Sequence, residues 1–106
     1  MKKNILLIGG TKGIGHEIAQ QLHEKHNIII ASRSNENLDQ LDVTHHEFDA
    51  LNDDITNLDL PDQIDGLVYC PGSINLKPFK MMKPSVFEED LQLNFMSLVK
   101  ITHGLL

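Results

Sequence analysis

The sequence has few cations, a single cysteine and no long hydrophobic run. Cys70 alone cannot form an internal disulfide, which fits a reducing compartment. Nine Lys and Arg residues against fifteen Asp and Glu give a formal net charge of −6, which argues against a nucleic-acid or anionic-membrane surface. The apolar run 5–8 is too short for a signal peptide or a membrane span. We therefore expect a cytoplasmic protein with neither nucleic-acid nor membrane partners.

Short apolar segments alternate with segments of helical period along the chain. The apolar segments predict strands at 4–8, 28–31 and 64–69, and such runs are typical of strands buried on both faces. A further strand is predicted at 43–48, although His45 and His46 interrupt its apolar pattern. Helices are predicted at 13–26, from Ser34, within 53–58 and from Val86. The alternation indicates an α/β fold with a parallel sheet and helices on both faces.

The predicted helices differ in how clearly they show an apolar face. The face of the first helix consists of Ile14, Ile18, Ala19 and Leu22. Ser34 is a candidate cap for the second, with Leu38 and Leu41 as its apolar pair. The last helix is expected to turn an apolar face inward, made of Phe87, Leu91, Phe95, Leu98, Val99 and Thr102.

Gly9, Gly13 and Gly15 stand where the first strand passes into the first helix. A helix start carries unpaired N–H groups and a partial positive charge, so a phosphate is its natural partner. Gly9 would permit the tight turn, Gly13 the close approach of a pyrophosphate, and Gly15 the packing of helix on sheet. A plain strand–helix turn is the alternative. A P-loop does not fit, because the segment lacks Gly-Lys-Ser/Thr.

The segment GGTKGIG at 9–15 resembles the cofactor signature of the short-chain dehydrogenase/reductase family. Four further segments agree in order and spacing: ASR at 31–33, FDAL at 48–51, LVYCPG at 67–72 and LQLNFMSL at 91–98. The resemblance implies a partial doubly wound, Rossmann-like sheet of strand order 3-2-1-4. It also implies hydride transfer between a nicotinamide cofactor and a carbonyl or alcohol carbon.

The resemblance implies a set of cofactor-binding residues. In the glycine turn these are Gly9, Thr11, Lys12, Gly13, Ile14 and Gly15; further along they are Ser32, Arg33, Ser34, Asp49, Ala50, Cys70, Pro71 and Gly72. Lys12 and Arg33 favour NADP(H) over NAD(H), because no carboxylate ends the second strand to repel a 2′-phosphate. Alternatively, both are solvated surface cations.

Asp49 would accept from the adenine amino group and the Ala50 N–H would donate to the ring, although Asp49 also suits a plain turn. The chain departs from the family pattern at residues 69–71, where Tyr-Cys-Pro replaces Asn-Asn-Ala. Cys70 is expected to act as a small apolar residue rather than as a nucleophile.

The sequence lacks the family's catalytic Tyr-x-x-x-Lys, since its single tyrosine is Tyr69 and Ser73 stands four positions later. Of the family's active-site residues, the resemblance implies only Asn94 in this sequence. Alternatively, Asn94 is an ordinary polar residue on an amphipathic helix. We therefore expect residues 1–106 to be a single cofactor-binding domain, truncated before the fifth strand, of a carbonyl reductase or alcohol dehydrogenase, with a 3-oxoacyl reductase as one possibility. A non-catalytic NADP(H)-binding or sensing module and a structural fragment that needs a partner are the alternatives. Homo-oligomerisation is expected from the family, and no metal site is expected from the six histidines.

Overall fold

A computed structural model of the chain describes residues 2–71 and 79–106. Within them, four parallel strands form a sheet in the order β3-β2-β1-β4. The strands are β1 (Asn4–Ile8), β2 (Asn27–Ser32), β3 (Val43–Glu47) and β4 (Gly66–Tyr69). The register places Leu6 of β1 beside Ile29 of β2 and Leu67 of β4. The predicted α/β class and strand order are confirmed.

The sheet is covered on both faces, as its apolar strands predicted. On one face Leu7, Ile28 and Ile30 pack with Ala19 of the first helix, α1 (Gly13–Leu22). On the other face Leu6, Ile8, Ile29 and Ala31 pack with Phe48, Ile55 and Ile101. Successive residues of β1 and β2 thus point into opposite cores, which explains why neither strand alternates between apolar and polar residues.

The helix predicted from Ser34 is absent, because residues 33–42 form turns instead. Asn37 has a φ of 65°, in the left-handed region that an α-helix does not use but that asparagine tolerates. Leu38 is nevertheless buried and Leu41 packs beside it, so the apolar pair was recognised correctly and the helix was not.

The first helix is shorter than predicted, whereas a helical turn does form within 53–58, as predicted. α1 ends at Leu22 rather than at His26, and the Lys25 N–H donates to the Leu22 carbonyl in a closing turn. The region 53–58 holds one 3₁₀ turn, Ile55–Asn57, which Asp54 caps by accepting from the Thr56 N–H. A Cβ added to Gly104 would lie 2.6 Å from Ile55 Cγ2, so a glycine is needed where the last helix crosses this turn.

The last predicted helix is divided into α2 (Pro84–Leu91) and α3 (Ser97–Leu105) by the π-helical segment Gln92–Met96. The prediction of its inward face was largely wrong. Phe87, Leu91, Phe95, Val99 and Thr102 are exposed, whereas Ser97 and Ile101 are buried. Phe87 and Leu91 precede the π turn, so the predicted face is already wrong in α2. The extra residue that a π turn inserts changes the helical phase only from residue 92 onward.

Candidate nucleotide-binding site

The turn after β1 uses backbone conformations that favour glycine. Gly9 has a φ of 74° and Gly13 a φ of 59°, both in the left-handed region. Gly15 has another constraint, since an added Cβ would lie 2.5 Å from the Gly9 carbonyl oxygen and 3.2 Å from Cys70 Sγ. The chain therefore turns sharply at Gly9 and brings α1 close against the turn at Gly15, as the glycine spacing predicted.

The N-terminus of α1 presents backbone to this turn with little side-chain interference. The cap residue Lys12 is extended and makes no side-chain hydrogen bond to the first turn, which among the described residues also contains no acidic side chain. An added Cβ on Gly13 would meet no atom within 4 Å. The Ile14 side chain is 78% exposed, so its predicted place on the buried face of the helix is wrong. A helix end of this kind favours an anion.

A cleft of about 480 Å³ lies beside the turn, at the carboxyl ends of the strands. It is lined by Ile8, Gly9, Thr11, Lys12, Ala31, Ser32, Arg33, Ser34, Phe48, Asp49, Ala50, Leu51, Pro71 and Leu93. Nine predicted cofactor residues are in that set. Gly13, Ile14, Gly15 and Cys70 are outside the lining, and Gly72 lies outside the described residues. Ligands of open α/β sheets bind at this edge.

Main-chain hydrogen bonds form the floor of this cleft. The Gly9 N–H donates to the Ala31 carbonyl at 2.9 Å, and the Phe48 N–H donates to the Ser32 carbonyl at 2.9 Å. The Cys70 N–H donates to the Ile8 carbonyl, also at 2.9 Å. Each bond extends strand pairing beyond the end of a strand, and together they fix the chain ends that carry the cleft residues.

The end of β2 carries one inward and one outward polar side chain. Ser32 is only 7% exposed; its hydroxyl donates to the Ser34 carbonyl at 2.6 Å and lies 2.9 Å from His45 Nε2. The neighbouring Arg33 is exposed. The sequence pattern did not single out His45, which had only weakened the prediction of β3, because nothing in the sequence shows that it stands beside Ser32.

Lys12 is paired rather than solvated alone. Its Nζ lies 3.5 Å from Glu36 Oε2, and both side chains are largely exposed. The next residue, Asn37, holds this part of the chain to the glycine turn: its Nδ2 donates to the Thr11 carbonyl at 2.8 Å. His16 Nε2 lies 2.9 Å from the Asn37 carbonyl, which can only accept.

Asp49 organises the turn after β3. Its carboxylate accepts from Asn52 Nδ2 at 2.8 Å and from the Leu51 N–H at 3.0 Å. The Asn52 hydrogen bond, then that of Leu51, and the charge of Arg33 hold the pKa of Asp49 below its ordinary value, against a smaller opposing effect of burial. Asp49 is thus an ionised turn residue in the cleft lining, with acceptor capacity left for a ligand.

Cys70, which follows β4, is partly buried and packs against the core on the α1 side of the sheet. Burial raises the pKa of the Cys70 thiol, the opposite of what a nucleophile requires. Tyr69 is half-buried, and its hydroxyl donates to the carbonyl of Leu93 in the π-helical segment. Burial raises the pKa of Tyr69, and a hydrogen bond with Ser97 opposes this.

Asn94 lies in the π-helical segment, next to the cleft residue Leu93, and is exposed. The structure therefore places Asn94 beside the cleft rather than in its lining. Sequence reasoning missed Leu93, since the segment had been predicted as regular helix.

A second groove, of about 510 Å³, is lined by residues of α3 and of the segment 50–56. Within residues 2–71 and 79–106, no three His, Cys, Asp or Glu side chains are grouped so as to hold a metal ion. In the same ranges no helix is long and apolar enough to cross a membrane.

The family model described as short chain dehydrogenase matches residues 3–106. The chain belongs to the short-chain dehydrogenase family. This is a family of oxidoreductases with a Rossmann-type nucleotide-binding fold, and the observed strand order agrees with it.

This chain is similar to a curated protein from Schizosaccharomyces pombe that is described as a PIGF/3-ketodihydrosphingosine reductase fusion protein. The two sequences are 30% identical over an alignment 122 positions long, which covers 97% of this chain and 24% of the relative.

Solved structures share the fold at low identity. ElxO with NADP bound superposes with a TM-score of 0.83 at 21% identity, over 98% of this chain and 49% of that one. A short-chain dehydrogenase from Leptospira borgpetersenii with bound NAD⁺ gives a TM-score of 0.82 at 20% identity, over 98% of this chain and 44% of that one. Thus the chain spans about a quarter of the curated relative and just under half of these structures.

Proposed function

We propose that this chain is the cofactor-binding part of an NADP(H)-dependent short-chain oxidoreductase acting on a small carbonyl or alcohol. The observation that carries the proposal is the cleft at the N-terminus of α1, with Gly9 and Gly13 at positive φ and both Lys12 and Arg33 in reach of it. NADP-bound and NAD-bound neighbours exist, so the neighbours alone leave the choice of cofactor open. The charges of the cleft favour NADP(H).

The residues present fit such a cofactor. The backbone at Gly13–Gly15 would take the diphosphate, because the helix dipole and the bare turn both favour it. Arg33 and Lys12 would hold the 2′-phosphate, and Asp49 with the Ala50 backbone would hold the adenine. Ser32 would contribute through its backbone and its hold on Ser34, since its hydroxyl proton is already donated. When bound, the nicotinamide supplies the hydride.

Proton transfer to the substrate lies outside what these residues supply. In the proposed enzyme the group that transfers the proton does not come from these 106 residues, which contain no Tyr-x-x-x-Lys. The same observation favours a second candidate, a non-catalytic NADP(H)-binding or sensing module. Sequencing the reading frame past codon 106 separates the two, because a catalytic pair in that stretch supports the enzyme and a stop codon supports the module.

The decisive experiment is a titration of the purified protein with NADPH and with NADH. Arg33→Asp removes a phosphate partner and adds a repelling carboxylate. We expect NADPH affinity to fall about 10- to 100-fold, the range for lost hydrogen bonds to a charged group, with NADH affinity little changed. Lys25→Asp is the matched control, since it makes the same charge change just beyond the far end of α1. An Arg33→Asp protein that still prefers NADPH would show the assignment to be wrong.

We propose, in addition, that the protein is a cytoplasmic homo-oligomer without nucleic-acid partners. The net charge of −6 supports the last point. The exposed apolar side chains of Leu91 and Phe95 support association.

A further inference from the structure

The turns between β2 and β3 bring a carboxylate to the edge of the cleft. Glu36 Oε2 lies 3.5 Å from Lys12 Nζ, with exposed fractions of 59% and 74% for the two side chains. Lys12 lines the cleft and Glu36 does not. The ammonium that would face a 2′-phosphate therefore already has an anionic partner outside the cleft.

Glu36 is held in this position by its neighbours. Asn37 donates from Nδ2 to the Thr11 carbonyl at 2.8 Å, and its own carbonyl lies 2.9 Å from His16 Nε2. Leu38 is buried in the core beneath α1. With the next two residues anchored to the glycine turn and to the core, the Glu36 backbone is fixed beside Lys12.

We infer that Glu36 is a specificity-determining residue that competes with the cofactor's 2′-phosphate for the ammonium of Lys12. The inference rests on the proposed function and adds a negative element to it. A phosphate that binds Lys12 must either displace the Glu36 carboxylate from the Lys12 ammonium or share the ammonium with it. Glu36 therefore lowers the affinity for NADPH. NADH has no 2′-phosphate, and its affinity is insensitive to the pair. Discrimination between NADPH and NADH thus depends on the negative charge of Glu36 as well as on the positive charges of Lys12 and Arg33.

Glu36→Gln tests this by removing the charge while keeping the shape. We expect NADPH to bind about threefold tighter, the scale of one exposed ion pair, with NADH binding unchanged. The gain should shrink in high salt, which screens the pair. Glu24→Gln is the matched control: it removes the same charge from an exposed site just beyond the opposite end of α1, and it should leave both affinities unchanged.

A double-mutant cycle assigns the effect to Lys12. In a Lys12→Met background, Glu36→Gln should no longer change NADPH affinity, because there is no Lys12 ammonium for the carboxylate and the phosphate to compete for. Three results would overturn the inference: no gain in Glu36→Gln while the unaltered protein binds NADPH, an equal gain for NADH, or a gain that persists without Lys12. If the unaltered protein binds neither nucleotide, the proposed function fails and this inference fails with it.

Discussion

At the scale of single residues, Gly15 has the least room of the glycines in the turn. Its missing side chain leaves space for the Gly9 carbonyl oxygen, which would lie 2.5 Å from an added Cβ. Gly66, at the start of β4, has an ordinary setting, since its added Cβ would lie 3.7 Å from Ile5 Cγ1. These two glycines, one in α1 and one in β4, thus differ in whether a methyl group can be accommodated.

We expect Gly15→Ala to destabilise the protein by about 1–3 kcal/mol, because the methyl group must push backbone rather than a flexible side chain. Gly66→Ala should stay within about 0.5 kcal/mol of the unaltered protein. Urea unfolding of both variants measures the difference. Equal losses would contradict the packing described for Gly15.

Asp65 makes stability depend on pH. Its carboxylate accepts from the Asn4 N–H at 2.8 Å and from Gln63 Nε2 at 2.7 Å, and these bonds lower its pKa from 3.8. A carboxyl group whose folded pKa is depressed contributes stability above its unfolded pKa, and loses it as the pH falls through the folded value. The contribution is therefore complete at neutral pH and disappears in acid below the ordinary pKa.

Urea midpoints measured at about pH 6 and about pH 3 should show a smaller acid-induced loss in Asp65→Asn than in the unaltered protein. Asp62→Asn is the control, since Asp62 is exposed on the same loop. If both variants keep the full acid-induced loss, the Asn4 contact has no part in it.

At the scale of elements, the π-helical segment Gln92–Met96 depends on its contact with the sheet. The Tyr69 hydroxyl at the end of β4 donates to the Leu93 carbonyl in this segment. Leu93 lines the cleft, and Asn94 follows it. The irregular helix is thus attached to the strand beside the nucleotide site, by a tyrosine where the family pattern has asparagine.

Tyr69→Phe keeps the ring and deletes the hydroxyl, so it removes the hydrogen bond to the Leu93 carbonyl together with the one to Ser97. We expect a loss of about 1 kcal/mol in the free energy of unfolding. Amide exchange in 92–96 should accelerate more than in α1, which lies on the opposite face of the sheet. Unchanged exchange in 92–96 would mean that other contacts maintain the segment.

At the scale of the molecule, an apolar surface follows α2 and α3. Phe87, Leu91, Phe95 and Val99 are exposed there, and the Phe79 and Phe87 rings pack with centroids 5.3 Å apart. We expect this exposed apolar surface to take part in the proposed self-association. It lies on the face of the sheet opposite α1.

Leu91→Glu should therefore reduce self-association, seen by light scattering as a lower mass at the same protein concentration. Gln20→Glu adds the same charge to α1 and should leave the mass unchanged. Equal masses for all three proteins would exclude this surface as the site of association.

Residues that depend on local pattern were predicted, and those that depend on contacts distant in sequence were not. The strands were recognised because Leu6, Leu7, Ile29 and Ile30 are apolar on both faces of the sheet. The helix predicted from Ser34 failed because the conformation of Asn37 is fixed by a bond to Thr11, 26 positions away.

The same distinction holds within the cleft. The glycines were predicted from their place between a strand and a helix, and Arg33 from its place at the end of the second strand. The pairing of Lys12 with Glu36 and of Ser32 with His45 could not be predicted, because each depends on how the turns after β2 fold back. The π-helical segment could not be predicted either, because no residue type in 92–96 distinguishes it from regular α-helix.

The main-chain bonds from Gly9 to Ala31, from Phe48 to Ser32 and from Cys70 to Ile8 involve no side chain. Because these bonds join backbone atoms only, we expect the strand ends to keep their positions when the side chains of the cleft are exchanged. For the proposed nucleotide site, we therefore expect that a change of preference needs new side chains at Lys12, Arg33 or Glu36 and leaves the scaffold beneath them unaltered.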